Sequence, residues 1–189
     1  MKIGYCFTGS HSTLERAYLA LSRLVAAGHT AVPIMSENVY YTDTRFQLAE
    51  EFSRRVEALT GRAVIHTIRD AEPLGPREPL DLLIICPCTG NTLAKLACGI
   101  TDGAVTMAAK AHLRCDRPLV IALASNDALS QNLKNVATLL QRKGVYFVPF
   151  GQDDPFGKPH SLISELSLLP DTVSAALEGK QLQPLLSKN

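Results

Sequence analysis

At 189 residues, 46% hydrophobic and 20% charged with a formal net charge of +1, the chain has the profile of one globular domain with a sizeable core. That charge balance excludes bulk attraction to nucleic acid or an anionic membrane, and no apolar run nears the roughly 20 residues needed to cross a bilayer. Five cysteines without framework spacing read as reduced thiols of a cytoplasmic protein, and no Cys/His cluster completes a zinc site, so no metal is expected.

Residues 2–7 predict a first strand, entered with no signal-peptide layout before it. A turn over 8–12 leads to a helix over 13–27, with Leu14, Ala17, Tyr18, Leu21, Leu24 and Val25 at helical spacing and Gly28 closing it. Residues 30–35 predict the second strand, 36–44 a polar loop, and 46–60 a helix with Phe46, Ala49, Phe52, Val56 and Leu59 on one stripe. A short strand is expected at 63–66, and the proline-rich stretch 70–80 reads as a surface connection. The apolar run 82–86 predicts a buried parallel strand. Helices near 92–98 and 103–113, a strand at 118–123, a loop at 124–127, a helix over 129–143 and a last strand at 145–148 follow. Strands alternating with helices predict an α/β, Rossmann-like three-layer fold with a mostly parallel sheet, spanning 1–150. Residues 151–189 read as an appended loop and helix, near 170–178, packed on the same domain.

Three turns each follow a strand and precede a helix: Gly9-Ser10-His11, Pro87 to Thr92, and Ser125-Asn126. In one parallel sheet they converge on the carboxyl edge, where ligands bind. The first resembles a phosphate cradle, with Gly9 permitting close backbone approach and Ser10 supplying a hydroxyl at a helix start. Ser36, after the second strand, adds another donor. A GxGxxG fingerprint and a P-loop are both missing, so a mononucleotide fits better than NAD or ATP. Simple helix capping by the same serines and threonines is the alternative. Asn91 and Asn126 place an amide in two of the turns, suited to a ring edge or a carboxylate, with a local Asx turn as the alternative.

The segment Pro87-Cys88-Thr89-Gly90-Asn91-Thr92, followed by Leu93-Ala94-Lys95-Leu96-Ala97-Cys98-Gly99-Ile100-Thr101-Asp102, resembles the hallmark of the homo-oligomeric flavin-containing cysteine decarboxylase superfamily, which also holds the flavin prenyltransferases. The resemblance implies a flavoprotein-type fold with bound FMN. Pro87, Cys88, Thr89, Gly90, Asn91 and Thr92, with Ser125 and Asn126, are implied to contact the cofactor, and Gly9, Ser10, His11 and Ser36 to hold its phosphate. His11 would lend a ring N–H rather than move a proton, and Cys88 reads as packing. A counterpart of the decarboxylase histidine and a Pro-x-Met-Asn-x-x-Met segment are both missing; Ala124-Ser125-Asn126-Asp127-Ala128-Leu129 stands in that place. Closer marks, among them Thr8 to His11, Thr44-Arg45-Phe46, Ala71 to Pro76 and Pro149 to Phe156, resemble a branch of spore-forming bacteria. That branch works with a partner A subunit in the mother-cell cytoplasm and oxidises dihydrodipicolinate, a small dicarboxylate, to dipicolinate.

The dicarboxylate that the resemblance implies needs cationic or N–H partners, for which Arg45, Lys95 and Lys110 are the candidates; with the amides of Asn91 and Asn126 in two converging turns, Asn91, Asn126 and Arg45 are the expected catalytic residues. It implies a homo-oligomer, a trimer or a dodecamer of trimers, in which Arg45 or a lid formed by 151–160 acts across an interface. Either NAD(P) or oxygen would reoxidise the flavin. Two rival readings stand beside this one: a flavin-binding scaffold without its own turnover, and a decarboxylase or prenyltransferase relative. Cys6, Cys98 and Cys115 are expected as small core residues.

Overall fold

The structure, a computed structural model, describes residues 1–187; the last two residues of the segment 151–189 lie outside the described residues. The chain alternates strand and helix: β1 (Lys2–Phe7), α1 (Leu14–Ala26), β2 (Thr30–Met35), α2 (Glu37–Tyr41), α3 (Ala49–Thr60), α4 (Ile68–Ala71), β3 (Leu82–Cys88) and α5 (Gly90–Cys98). Then come α6 (Ala104–Leu113), β4 (Leu119–Ser125), α7 (Leu133–Leu140), β5 (Val145–Phe147), β6 (Phe150–Gly151), β7 (Leu162–Ser164) and α8 (Leu169–Leu177). No described helix is long and apolar enough to cross a membrane.

A seven-stranded sheet runs in the order β2-β1-β3-β4-β7-β6, with β5 also paired to β4. Strands β1 to β5 pair in parallel; β7 joins β4 and β6 antiparallel. The alternation within β3 explains its burial: Leu83 and Ile85 enter the core under α4 to α7, while Leu82, Ile84 and Cys86 enter the core under α1, α3 and α8. Both faces are thus covered, as a parallel sheet requires.

Several expectations give way to packing. The loop at 36–44 contains the short helix α2, because Val39 reaches the core. Helix α3 starts at Ala49 and leaves Phe46 half exposed, outside the apolar stripe. The expected strand at 63–66 is one parallel bridge, Ile34 to Ile65. The stretch 70–80 is no surface connection: Ala71, Leu74 and Leu80 are fully buried, and its prolines shape a packed segment. The helix expected over 129–143 spans only α7, because residues 126–132 form hydrogen-bonded turns. The C-terminal segment is built into the sheet. Strand β5 covers only Leu119 to Ile121 of β4, and β7 takes the free edge at Ala124 and Ser125. Gln181 then brackets the Phe147 backbone from both sides, accepting its N–H at 2.8 Å and donating to its carbonyl at 2.7 Å. Cys98 is exposed and Cys115 half buried, so of the three expected core thiols only Cys6 is a core residue.

His112, buried on α6, donates its Nε2–H to the Pro118 carbonyl at 2.9 Å and tethers α6 to the start of β4. Its Nδ1 has no partner among the described residues. Burial, with the Arg117 charge acting in the same direction, holds its pKa below the ordinary histidine range. The native state therefore keeps His112 neutral, while the unfolded chain protonates it below about pH 6.5. Its stabilising contribution is complete above that pH and declines as pH falls through it. Urea midpoints should drop between neutral pH and mildly acidic buffer, and His112→Leu should reduce that drop.

Candidate functional site

The strand order changes direction at β1, with β2 on one side and β3 on the other. Ligands in open α/β sheets bind beyond the carboxyl ends of the strands at this switch. A cavity of about 330 Å³ lies there, lined by Gly9 after β1, Ser36 after β2, and Thr89, Asn91 and Thr92 after β3. Residues 102–106 at the start of α6 close one side, and Glu37, Asn38 and Lys95 complete the wall. The volume falls at the lower end of the roughly 300–1,000 Å³ range of ligand pockets.

Each position has a local cause. Thr89 caps α5, its Oγ1 accepting from the Thr92 N–H at 3.3 Å and donating to Thr92 Oγ1 at 3.1 Å. Thr8, at the end of β1, ties the two strand ends together: its Oγ1 donates to the Pro87 carbonyl at 2.7 Å and accepts from the Thr89 N–H at 3.0 Å. A register shift between Ile85 and Cys88 marks the irregular end of β3 beside the cavity. The segment expected as one turn over Pro87–Thr92 is therefore split. Pro87 and Cys88 complete the buried strand, Thr89 caps, and Gly90 already opens α5.

The structure brings Gly9, Ser36, Thr89, Asn91 and Thr92 to one cavity. It does not bring Ser10, His11, Asn126 or Arg45 to that wall. Ser10 Oγ pairs with Thr13 Oγ1 at 2.9 Å. His11 faces a neighbouring cleft beside Phe46, Gln47 and Arg55. Asn126 is exposed at the tip of the turn after β4. Arg45 lies exposed in the loop before α3, rather than at the helix opening, with its guanidinium 4.9 Å from the Phe46 ring centroid. Gly90 and Ser125 are buried against each other. Lys110 lines a separate cleft with Leu113 and Arg142.

Lys95 does reach the cavity, where it pairs with Asp102 at 2.8 Å. The bond to Lys95 holds the Asp102 carboxyl below the usual carboxylate range. Sequence reasoning missed Thr8 and Asp102 as site residues; a threonine at a strand end and a polar break between two helices were the available signals. Cys88 and Cys86 are buried thiols without nucleophilic character. Burial pushes Cys86 up to about 12, and burial with the neighbouring Cys86 pushes Cys88 up as well.

Ser36 Oγ is enclosed and has no hydrogen-bond partner in the described chain. An unmade bond at a buried hydroxyl costs about 1–3 kcal/mol. Such a group at a cavity wall marks a place where a ligand supplies the missing acceptor. Gly9, Thr89 and Thr92 line the same cavity, and because Thr89 Oγ1 already donates to Thr92 Oγ1, the Thr92 hydroxyl joins Ser36 as a donor for the phosphate and polar ring edge of a flavin mononucleotide.

The Flavoprotein family matches residues 1–180. The B subunit of dipicolinate synthase from Bacillus subtilis (strain 168) is 46% identical over 188 residues, covering 100% of this chain and 94% of that protein. The crystal structure of the B subunit of dipicolinate synthase from Bacillus halodurans C superposes with a TM-score of 0.91 at 40% identity, over 100% of this chain and 96% of that one. A dodecameric FMN-dependent UbiX-like decarboxylase from Escherichia coli O157:H7 superposes with a TM-score of 0.66 at 27% identity, over 79% of this chain and 80% of the other. With a family match over nearly the whole length and a relative 46% identical over the whole chain, the chain belongs to the Flavoprotein family.

Proposed function

We propose that this chain is the FMN-binding component of a dipicolinate synthase, acting with the A subunit of that enzyme in the mother-cell cytoplasm to oxidise dihydrodipicolinate to dipicolinate during sporulation. The observation that carries the flavin assignment is the unpartnered Ser36 Oγ at the cavity where β1, β2 and β3 end. Likeness to the B subunit of dipicolinate synthase over the whole chain supports the choice of reaction. The reaction removes two electrons and two protons from the dihydropyridine, and aromatisation drives it. When bound, the flavin supplies the two-electron acceptor.

The chain's own residues bind and orient. Gly9 and Ser36 hold the phosphate, Thr89 and Thr92 fix the ring edge, and the exposed Asn91 amide meets a substrate carboxylate. The missing Pro-x-Met-Asn-x-x-Met segment, in whose place Ala124 to Leu129 form the end of β4 and a turn, counts against the decarboxylase chemistry of the rival reading. The reading includes no NAD(P), for which no residue pattern speaks.

Charge supports an assembly. The lining carries Lys95 already paired with Asp102, together with Glu37, so a single cavity has no spare cation for a dicarboxylate. The cations then come from a second copy in a trimeric or dodecameric homo-oligomer, through the exposed Arg45, or from the A subunit. A Ser36→Ala variant tests the assignment. Its flavin-free form is expected to be at least as stable as wild type, because the orphaned hydroxyl is gone. Its affinity for FMN, read by quenching of flavin fluorescence, is expected to fall about tenfold or more, the loss of one hydrogen bond to a charged group. Equal affinity in the two proteins would remove Ser36 from the site, and a wild type that quenches no FMN would remove the flavin.

A further inference from the structure

The turn after β4 holds a hydrogen-bonded group that the proposed reaction leaves unused. Asp127 Oδ1 accepts from Ser125 Oγ at 2.6 Å and from Asn132 Nδ2 at 3.0 Å, and Oδ2 accepts from the same amide at 2.9 Å. Asn135 Nδ2 donates to Asn132 Oδ1 at 2.8 Å, which fixes the amide so that its NH₂ faces the carboxylate. The backbone closes the turn, with the N–H groups of Ser130 and Asn132 donating to the Asp127 carbonyl at 3.0 and 3.1 Å. Ser125, Asn132 and Asn135 are all buried. A buried network of this kind rigidifies its surroundings when every member is satisfied.

The group presses on one residue of the site. A Cβ on Gly90 would stand 2.6 Å from Ser125 Oγ and 2.7 Å from both Asn132 Nδ2 and Asp127 Oδ1. Gly90 opens α5, whose next two residues, Asn91 and Thr92, line the cavity. The N-terminus of a helix carries partial positive charge, and a carboxylate beside it offsets that charge.

We propose that Asp127 is a positioning residue: pinned by Ser125 and Asn132, it braces the first turn of α5 and sets the charge at that helix end, and so the site's preference between oxidised and reduced flavin. This inference rests on the flavin reading and adds to it the residue that controls the preference. A flavin gains negative charge on reduction, so a fixed negative charge behind α5 favours the oxidised form.

The test titrates FMN and, anaerobically, dithionite-reduced FMN into wild type, Asp127→Asn and Asn135→Ala, with thermal unfolding alongside. Asp127→Asn should shift the ratio of reduced to oxidised affinity about tenfold toward the reduced form, a change of about 1.4 kcal/mol. Asn135→Ala loosens the brace but keeps the charge, so it should weaken both forms equally. Asp127→Ser, which removes the charge without presenting an amide to Asn132, replaces Asp127→Asn if that variant does not fold. An unchanged ratio in the charge-free variant, whatever its melting temperature, overturns the inference alone. A wild type that binds neither form overturns the flavin reading and this inference with it.

Discussion

Gly75→Ala is expected to lower the melting temperature by roughly 6–12 °C. Gly75 packs so closely on α6 that a Cβ would press into the Ala111 carbonyl oxygen and stand 3.0 Å from its carbonyl carbon. The obstacle is helix backbone, which cannot rotate aside as a side chain can. Overpacking typically costs about 1–3 kcal/mol and more where nothing yields, and each kcal/mol shifts the melting temperature of a domain this size by about 2–4 °C. Scanning calorimetry measures the shift directly. An unchanged midpoint would mean that the segment around Gly75 is free to lift off α6, contrary to the burial of Leu74 and Leu80 beside it.

Thr8→Val is expected to damage both the fold and the site. Valine keeps the shape of threonine and removes the hydroxyl. The Pro87 carbonyl and the Thr89 N–H then lose their partners at the ends of two adjacent strands. Two unmet backbone groups cost about 1–3 kcal/mol each when buried. The functional consequence follows from position, because Thr89 is both the cap of α5 and part of the cavity wall. FMN affinity should therefore fall along with stability, whereas Thr8→Ser, which retains the hydroxyl, should approach wild type on both measures. If Thr8→Val loses stability and keeps full FMN affinity, the tie between β1 and β3 serves the fold alone.

Much of this protein was legible from its residues in order. The apolar run 82–86 announced a buried parallel strand, because a strand covered on both faces has no polar side to show, and the runs 2–7 and 118–123 announced two more strands. Gly28 announced the end of α1, where the chain turns left-handed at φ of 86°. The segment 87–102 carried the family resemblance, which the match over residues 1–180 establishes.

Tertiary structure decided the rest, for reasons of long-range contact. The stretch 70–80 has no period, so its burial could not be read along the chain; only tertiary packing, with Gly75 against α6 and Leu80 against Gly4 of β1, gives these residues their role. The C-terminal residues join the sheet because β5 is too short to cover β4, a mismatch between segments far apart in sequence. The chain order alone also could not sort the candidate site residues. Ser36, Thr89 and Asn91 meet at one cavity while Ser10 turns back to Thr13 and Arg45 stays in its loop, because the direction of a side chain after a strand depends on which neighbour fills the space beside it. The sequence by itself determined the strand–helix alternation and the family, both written in local pattern. Which hydroxyl lacks a partner, and that Asp127 and Asn132 stand behind Gly90, are facts of three-dimensional contact that no one-dimensional pattern encodes.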